Sequence, residues 1–452
     1  MKLNSNKKAH FIGIGGIGVS ALARYYLKKG WEVSGSDLAC SEITKSLRKM
    51  GAEILIGPHK GKNIRTRPGL NKVIYSPAIK KNNPELKEAK KLKIKTQSYP
   101  QALGELTKNY FTIAVCGTHG KSTTTALVGL LLEKAGLDPT VIVGTKVREF
   151  QNSNCRLGRG KYLVIEADEH FASFLNYWPK VIILTSLEAD HLDYYKNFNN
   201  YFSAFKKFIS RLPKDGVLII NRNDKKARKL AEEKKGTKKI FYSLRQRKVE
   251  EIKKVLKIPG KHNLSNALAV WALARLLKIP EKTFIKALSG YKGSWRRFEI
   301  IKGELNKKVF TVVSDYAHHP TELLATLRAG RERFPKKTIY CLFQPHQFQR
   351  TFYLFHHFVD VFDKALKEKL ADKIIVTDIY EVAGRESGKI KKKVSSEKLV
   401  RTISKKEIVY LPQEKIINFL NKIIKGGEVL IIMGAGDIYK IILKLTKRKK
   451  DA

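Results

Sequence analysis

Short apolar runs alternate with longer amphipathic stretches along almost the whole chain. "AHFIGI" and "EVSGSD" have the length and composition of buried strands, and "VSALARYYLKKG" between them has the periodicity of a helix. The same alternation resumes at "FTIAVCG" and again at "KVFTVVSD". Strands that alternate with helices are typical of parallel α/β sheets. The pattern therefore predicts an α/β protein.

The alternation falls into three series, and each predicts one domain. The first series also includes "KVIYS". The second continues with a helix from Lys121 to about Ala135, and then with "YLVIEAD", "KVIILTS", "GVLIIN" and "NLSNALAVWALARLL". The third adds "TIYCLFQ", "KIIVTD" and "GEVLIIMG". We predict three α/β domains over residues 1–106, 107–294 and 295–452. The first and third are expected to be Rossmann-like, and the central one to be of the P-loop ATPase type.

Composition places the chain among ordinary soluble proteins, with 43% hydrophobic and 29% charged residues over 452 positions. No apolar run reaches the roughly 18 residues of a membrane span, and the first residues lack the cleavage site of a signal peptide. We therefore expect a cytoplasmic protein without membrane insertion. The cysteines have neither disulfide nor zinc spacing, which predicts reduced thiols at Cys40, Cys116, Cys155 and Cys341.

A net charge of +48 raises the possibility of nucleic-acid binding. However, lysine and arginine are spread along the chain, and only "GKIKKKV" and "KRKKDA" are dense. Charge runs of this kind are usually solvated surfaces, and the sequence has no recognised nucleic-acid motif. We expect no specific nucleic-acid partner, although the excess charge favours polyanionic substrates through long-range attraction.

The first glycine-rich turn lies between a predicted strand and a predicted helix. Gly13, Gly15, Gly16 and Gly18 include the G-x-G-x-x-G spacing, in which glycines let the backbone approach a pyrophosphate at a helix N-terminus. Asp37 ends the next strand, where a Rossmann protein holds a ribose. These residues predict a site for NAD or another nucleotide diphosphate, and they do not choose between them.

A second turn, "GTHGKS", resembles a phosphate loop with an altered beginning. The Walker pattern G-x-x-x-x-G-K-[ST] requires glycine where this chain has Val115, and Gly117 comes two residues later. Gly120 still frees the backbone beside Lys121, which can reach the β- and γ-phosphates, and Ser122 offers an oxygen to Mg²⁺. The turn predicts phosphate binding in a loop outside the core.

Two later strand ends carry polar side chains that a core would not favour. Glu166 ends "YLVIE", and His191 follows "VIILTSLEAD". In a parallel sheet such strand ends converge beside the phosphate loop, so we expect Ser122, Glu166 and His191 to bind a metal. Because Mg²⁺ prefers oxygen, the histidine favours Mn²⁺ or contact through water.

Nine stretches in this order resemble the Mur ligases of peptidoglycan synthesis. They are "IGIGGIGVSALA", "GTHGKSTTTA", "EADE…SFL", "EADHLDYY", "GKHNLSNALA", "RRFE", "DYAHHPTE", "FQPHQFQRT" and "GAGDI". Any one of them is weak evidence, but together they span nearly the whole chain. The family loop is itself G-T-H-G-K-[ST], which accounts for Val115.

The resemblance implies a UDP-sugar in the first domain in place of NAD, ATP in the central domain and an amino acid in the third. It implies that ATP activates the lactyl carboxylate of UDP-N-acetylmuramate as an acyl phosphate, which L-alanine then attacks. The implied catalytic residues are Lys121, Glu166, His191, Arg297 and Asp315. Arg297 and Asp315 are expected to reach the nucleotide when the third domain closes.

The same resemblance assigns the binding residues. For ATP they are Gly117, Thr118, His119, Gly120, Lys121, Ser122, Thr123, Asn263, Asn266 and Arg297. For the UDP-sugar they are Gly13, Gly15, Gly16, Ile17, Gly18, Asp37 and Ser76. For the amino acid they are His319, His346 and Arg350. A helix N-cap is an alternative role for Asn263.

The chain departs from the family pattern near the expected crevice. Ser186 replaces a usual asparagine, His170-Phe171 follows "EADE", and Gln347-Phe348 replaces a common Arg-Tyr. Phe205 aligns with the carbamylated lysine of some sister enzymes, and Lys206 is one position away. The first three departures bear on amino-acid selectivity more than on ATP chemistry.

Three other functions remain open from the sequence. A nucleic-acid-binding protein accounts for the net charge and for nothing else. A ligase that recycles muramyl peptides shares much of the pattern, although "DYAHHPTE" and "GAGDI" favour the alanine-adding branch. An NAD-binding oxidoreductase accounts for Gly13 to Asp37 but gives the phosphate loop no role. Oligomeric state does not follow from the sequence.

Overall fold

A computed structural model describes residues 7–382 and 388–446 of the chain. Its strands form three sheets of five, seven and six strands. Two compact units result. The described residues of Met1–Ala189, Asn199–Val255 and Ser265–Tyr291 form the first unit, and those of Asp190–Phe198, Leu256–Leu264 and Lys292–Ala452 form the second. No helix in the described ranges is long and apolar enough to span a bilayer.

The first sheet is fully parallel and has its earliest strand at the centre, in the order β3-β2-β1-β4-β5. Its strands are β1 (Lys8–Ile12), β2 (Glu32–Asp37), β3 (Glu53–Ile56), β4 (Leu70–Tyr75) and β5 (Lys95–Ser98). The helices are α1 (Ile17–Lys28), α2 (Glu42–Lys49), α3 (Lys62–Arg65), α4 (Pro84–Lys91) and α5 (Tyr99–Thr107). Strands β2 and β3 lie on one side of β1 and strands β4 and β5 on the other, and in such parallel sheets ligands bind at the carboxyl ends of the strands beside this switch point.

The second sheet has the order β12-β11-β10-β6-β9-β7-β8, and β8 alone among these strands runs antiparallel to its neighbour. Its strands are β6 (Phe111–Cys116), β7 (Thr140–Val147), β8 (Ser153–Arg156), β9 (Tyr162–Glu166), β10 (Val181–Leu184), β11 (Val217–Asn221) and β12 (Lys238–Tyr242). The helices are α6 (Lys121–Lys134), α7 (Leu192–Tyr195), α8 (Phe198–Ile209), α9 (Lys225–Glu233), α10 (Lys248–Val255), α11 (Lys261–Leu276) and α12 (Glu281–Gly290).

The third sheet has the order β13-β14-β18-β15-β16-β17. Its strands are β13 (Glu299–Leu305), β14 (Lys308–Asp315), β15 (Ile339–Phe343), β16 (Lys373–Val376), β17 (Ile408–Tyr410) and β18 (Val429–Met433). The helices are α13 (Pro320–Arg333), α14 (Phe348–Tyr353), α15 (Phe355–Lys367), α16 (Gly388–Lys391), α17 (Ser396–Ile403), α18 (Ile416–Ile423) and α19 (Tyr439–Leu445). Short 3-10 segments cover Arg148–Phe150, His170–Asn176 and Gln413–Lys415, and the second of them is kinked at Phe171 and Ala172.

Both faces of the third sheet are buried, which explains why its central strands are continuous apolar segments in the sequence. Ile431 and Met433 of β18 pack into one buried cluster, and Leu430 and Ile432 pack into another on the opposite face. Successive side chains of a strand point to opposite faces, so a strand covered on both sides must be apolar throughout. The predicted architecture of three α/β domains is confirmed; the exact domain boundaries stay a prediction.

One hairpin departs from the expected parallel arrangement. β13 pairs antiparallel with β14, and Asn306 and Lys307 connect them with φ of 49° and 64°. Two consecutive left-handed residues give the turn that matches the twist of a two-residue hairpin. The apolar alternation of the third series does not reveal this edge strand.

Candidate active site

The phosphate loop joins β6 to α6 through residues 117–120. Gly117 has φ of 127°, and a Cβ there would lie 2.2 Å from Thr185 Oγ1. Gly120 has φ of 79°, and a Cβ there would lie 2.3 Å from Asn266 Oδ1. Both positions therefore require glycine. Val115 lies inside buried β6, so the altered beginning of the motif belongs to the strand and not to the loop.

Polar contacts from the neighbouring strand end hold the loop in place. The His119 backbone N–H donates to Ser186 Oγ at 3.0 Å, and Thr185 Oγ1 donates to the His119 carbonyl at 2.6 Å. His119 Nε2 lies 2.8 Å from Glu188 Oε2. Ser186, which replaces the usual asparagine, thus supplies a hydrogen-bond acceptor to the loop.

Lys121 begins α6, and protein oxygens surround its ammonium group. Nζ donates to Gly117 O at 2.8 Å and contacts Thr118 O at 3.3 Å. It lies 3.0 and 2.9 Å from the two carboxylate oxygens of Glu169. Burial alone would lower the pKa of Lys121, but the Glu169 carboxylate and two nearby acidic groups raise it above its ordinary value. The lysine is therefore a fixed cation at the helix N-terminus.

Ser122 and Glu166 lie side by side next to this lysine. Ser122 Oγ donates to Glu166 Oε1 at 3.0 Å, and the Gly144 N–H donates to Oε2 at 2.7 Å. The two predicted oxygen ligands of the metal are thus brought together. His191 belongs to the other unit, where it precedes α7 with φ of 51°, and its metal role stays a prediction.

The two predicted asparagines of α11 have different surroundings. Asn266 is buried, with its side chain against Gly120 of the phosphate loop. Asn263 lies inside α11 and donates from Nδ2 to Pro259 O at 2.7 Å. Because the helix begins at Lys261, Asn263 is not its N-cap, and that alternative is wrong.

The first glycine turn gathers its predicted residues at the carboxyl end of the first sheet. The Gly15 N–H donates to Asp37 Oδ2 at 2.8 Å, and the Gly13 N–H donates to Ser36 O at 2.8 Å. Ser76 follows β4, and its Cβ lies 3.1 Å from where a Cβ of Gly13 would be. Gly16 precedes α1, whose first two residues are Ile17 and Gly18. The geometry places these residues together at one end of the first sheet.

In the second unit, Asp315 ends β14 and organises the loop that carries Arg297. Its two carboxylate oxygens accept from the Ala317 and Phe298 backbone N–H groups, both at 2.7 Å. Burial raises the pKa of Asp315 to about 6, against the opposite effect of Arg297. The Arg297 guanidinium lies 5.1 Å from the centre of the Tyr316 ring.

Arg296, the neighbour of Arg297, has a structural role that the motif did not reveal. It is buried and donates to the Gly434 carbonyl. Its guanidinium also lies within 5.6 Å of the ring centres of Trp295, Tyr316 and Tyr439. The first arginine of "RRFE" therefore joins the loop to "GAGDI", while the second is the candidate for ligand binding.

The predicted amino-acid residues meet an aspartate that the sequence analysis missed. Arg350 donates from Nε and Nη2 to Asp190 Oδ1, both at 3.2 Å, and its Nη1 lies 3.2 Å from His346 Nδ1. Burial would raise the pKa of Asp190, but Arg350 and His191 hold it well below its usual range. His319 is buried and caps α13 by accepting from the Thr321 N–H. Arg350 and His346 thus form one cluster around a buried carboxylate.

The three parts of the chain that form the sheets each match a domain of known proteins. The chain matches "Mur ligase family, catalytic domain" over residues 8–111, "Mur ligase middle domain" over 115–274 and "Mur ligase, glutamate ligase domain" over 296–436. It is 39% identical to a UDP-N-acetylmuramate–L-alanine ligase of Clostridium acetobutylicum, covering 98% of both chains. Its identity to the enzyme of the same name from Clostridium novyi is 37%, covering 97% of both.

Solved structures also match the chain over nearly its whole length. The UDP-N-acetylmuramate-alanine ligase of Thermotoga maritima superposes with a TM-score of 0.76 at 29% identity, covering 97% of both chains. A murein peptide ligase of Psychrobacter arcticus, at 23% identity, shares the fold with a TM-score of 0.71 over 97% of this chain and 98% of that one. With three matching domains in order and relatives aligned from end to end, the chain belongs to the Mur ligase family.

Proposed function

We propose that the chain joins L-alanine to the lactyl carboxylate of UDP-N-acetylmuramate and converts ATP to ADP and phosphate, in the cytoplasmic synthesis of peptidoglycan precursors. The observation that carries this proposal is the Lys121 ammonium at the start of α6, beside the Ser122–Glu166 pair. The relatives that align over the whole chain bear the name of this activity.

The chemistry must overcome a poor leaving group. A carboxylate cannot expel oxide, so phosphoryl transfer from ATP first converts it to an acyl phosphate. The amine of L-alanine then attacks the carbonyl carbon, phosphate leaves from the tetrahedral intermediate, and the nitrogen loses a proton. No protein nucleophile is required. Lys121 and the N–H groups of α6 would stabilise charge on the transferring phosphoryl group, and Arg297 is proposed to add a second cation.

Mg²⁺ fits the residues beside the loop. The Ser122 hydroxyl and the Glu166 carboxylate offer adjacent oxygens, which this ion prefers. Lys121 faces Glu169, Asp168 and Glu166, an excess of negative charge that would repel ATP without a further cation. When bound, a divalent cation neutralises charge on the β- and γ-phosphates. We propose Ser122 and Glu166 as its ligands, with His191 as a third that would also accept Mn²⁺.

Isotope transfer tests the reaction path. With ¹⁸O in the lactyl carboxylate, we expect one labelled oxygen in the phosphate released for each amide bond formed, because the acyl phosphate carries the carboxylate oxygen to phosphorus. Mass spectrometry of phosphate measures this. L-Serine, glycine and a free tripeptide with an N-terminal L-alanine serve as competing acceptors, and faster use of the tripeptide would favour the recycling function. Amide formation with unlabelled phosphate would exclude the acyl phosphate.

Thermal stability tests the ligand of the first domain. A ligand that binds only the folded state raises the melting temperature by mass action. We expect UDP-N-acetylmuramate at 100 times its Kd to stabilise by about 2.7 kcal/mol and NAD at the same concentration to have no effect. Differential scanning fluorimetry measures both. Stabilisation by NAD alone would contradict the UDP-sugar assignment.

A further inference from the structure

Glu169 has no part in the proposed chemistry, yet it is the most fully buried acid beside the phosphate loop. Its side chain is 0% exposed, against 13% for Lys121. Both of its carboxylate oxygens lie within 3.0 Å of Lys121 Nζ. Burying a carboxylate is unfavourable unless it is paired, so this pairing with the loop lysine is a built feature of the site.

Tyr201 gives the carboxylate a second hydrogen-bond donor. This tyrosine of α8 is fully buried, and its hydroxyl donates to Glu169 Oε1 at 3.2 Å. The hydroxyl also lies 2.9 Å from Thr118 Oγ1, on the phosphate loop itself. Thr118 in turn bonds to the backbone of Glu188 at 2.8 and 2.9 Å. Glu169 is therefore held by groups that also hold the loop.

We infer that Glu169 is a positioning residue for Lys121, with Tyr201 as its support, and this inference rests on the proposed function. A lysine ammonium is a point charge on a flexible four-carbon stem, so it stabilises a transition state only where other groups fix it. The Gly117 carbonyl and the Glu169 carboxylate fix it from two sides.

Kinetics should separate positioning from binding. Because Glu169 carries the same charge as the phosphates, its removal weakens the orientation of Lys121 but also reduces repulsion of ATP. We expect Glu169→Gln to lower kcat 10- to 100-fold and to change KM for ATP less than about threefold. Tyr201→Phe should also lower kcat, by a smaller factor of about 3- to 10-fold. Glu232→Gln makes the same change on the exposed surface of α9, away from the phosphate loop, and should stay within about threefold of the wild type.

A second readout needs no substrate and therefore does not depend on the proposed reaction. The wild type, Glu169→Gln and Tyr201→Phe are treated with acetic anhydride, and acetylation of Lys121 is followed by peptide mass spectrometry. We expect at least threefold faster acetylation in Glu169→Gln and a smaller increase in Tyr201→Phe, because only the deprotonated, mobile amine reacts. Unchanged acetylation in both variants, or a higher KM for ATP with unchanged kcat, would overturn the positioning role. An inactive wild type with fast acetylation in the variants would overturn the proposed function alone.

Discussion

Lys121→Ala should lower kcat about 100-fold or more, because it removes the cation that meets the transferring phosphoryl group in the transition state. Phosphate release with saturating UDP-N-acetylmuramate, L-alanine and ATP measures the loss. Near-normal turnover in the folded variant would show that Lys121 has only a structural role. The structure adds a consequence for stability, because Lys121 is the ion-pair partner of a fully buried acid.

The sequence predicted a loop outside the core, where loss of one side chain should leave the fold intact. Instead, Lys121→Ala leaves the Glu169 carboxylate buried with its positive partner removed, which typically costs about 3–5 kcal/mol. We expect the double variant Lys121→Ala/Glu169→Gln to recover most of this loss and to remain as inactive as the single variant. Thermal melting beside the activity assay distinguishes the two effects. Equal melting temperatures in the single and double variants would show that the ion pair contributes little to stability.

The central strands were predictable because burial on both faces demands continuous apolar runs. β2 and β14 match the predicted segments at both ends, and β6 differs from its segment by one residue. The strands that the pattern missed include the edge strands β5, "KTQS", and β8, "SNCR". An edge strand pairs on one side only and often faces solvent, so no periodic apolar signal identifies it.

Site residues were predictable where a motif ends a strand and unpredictable where a partner is distant in sequence. Glu166 follows from its place at the end of β9. Glu169 is visible in "EADE", but only the 3-10 turn after the strand directs it to Lys121. Asp190 and Arg350 are 160 residues apart and meet only through the fold. Local patterns reveal which groups reach a crevice, and tertiary packing decides which of them pair.

A buried carboxylate in the first domain leads to the second large expected effect. Glu85 lies in the first turn of α4 with a side chain that is 0% exposed. Its Oε2 accepts from Ser36 Oγ at 2.6 Å and lies 3.2 Å from His10 Nε2. Its Oε1 accepts from Asn63 Nδ2 at 2.6 Å and lies 3.3 Å from His59 Nδ1. Ser36 also carries the carbonyl that holds the first glycine turn, so the network supports that turn.

Glu85→Gln should destabilise the first domain by about 2–4 kcal/mol at pH 7. The amide introduces a donor where four donors already converge and removes the charge that they stabilise. Hydrogen exchange of the β1 and α4 peptides measures the free energy of local opening. Glu88→Gln, on the same helix, loses only a partly exposed ion pair with Arg65 and should stay within about 1 kcal/mol of the wild type. Equal losses in the two variants would contradict a special role for Glu85.

The pH dependence of this loss has a defined sign. Burial alone would raise the pKa of Glu85, but the hydrogen bonds from His10 and the other three side chains hold it well below its usual range. The contribution of Glu85 to stability is therefore fully present above its unfolded pKa of about 4.3 and fades as pH falls further.

Burial lowers the pKa of His10, and Glu85 acts against that shift. Without Glu85, His10 should resist protonation more strongly, so the stability difference between wild type and variant should widen slightly from pH 7 to 5 and then narrow below pH 4.5. Urea midpoints at pH 7, 5 and 4 measure it, and a difference that keeps widening at pH 4 would mean that Glu85 is protonated in the folded chain.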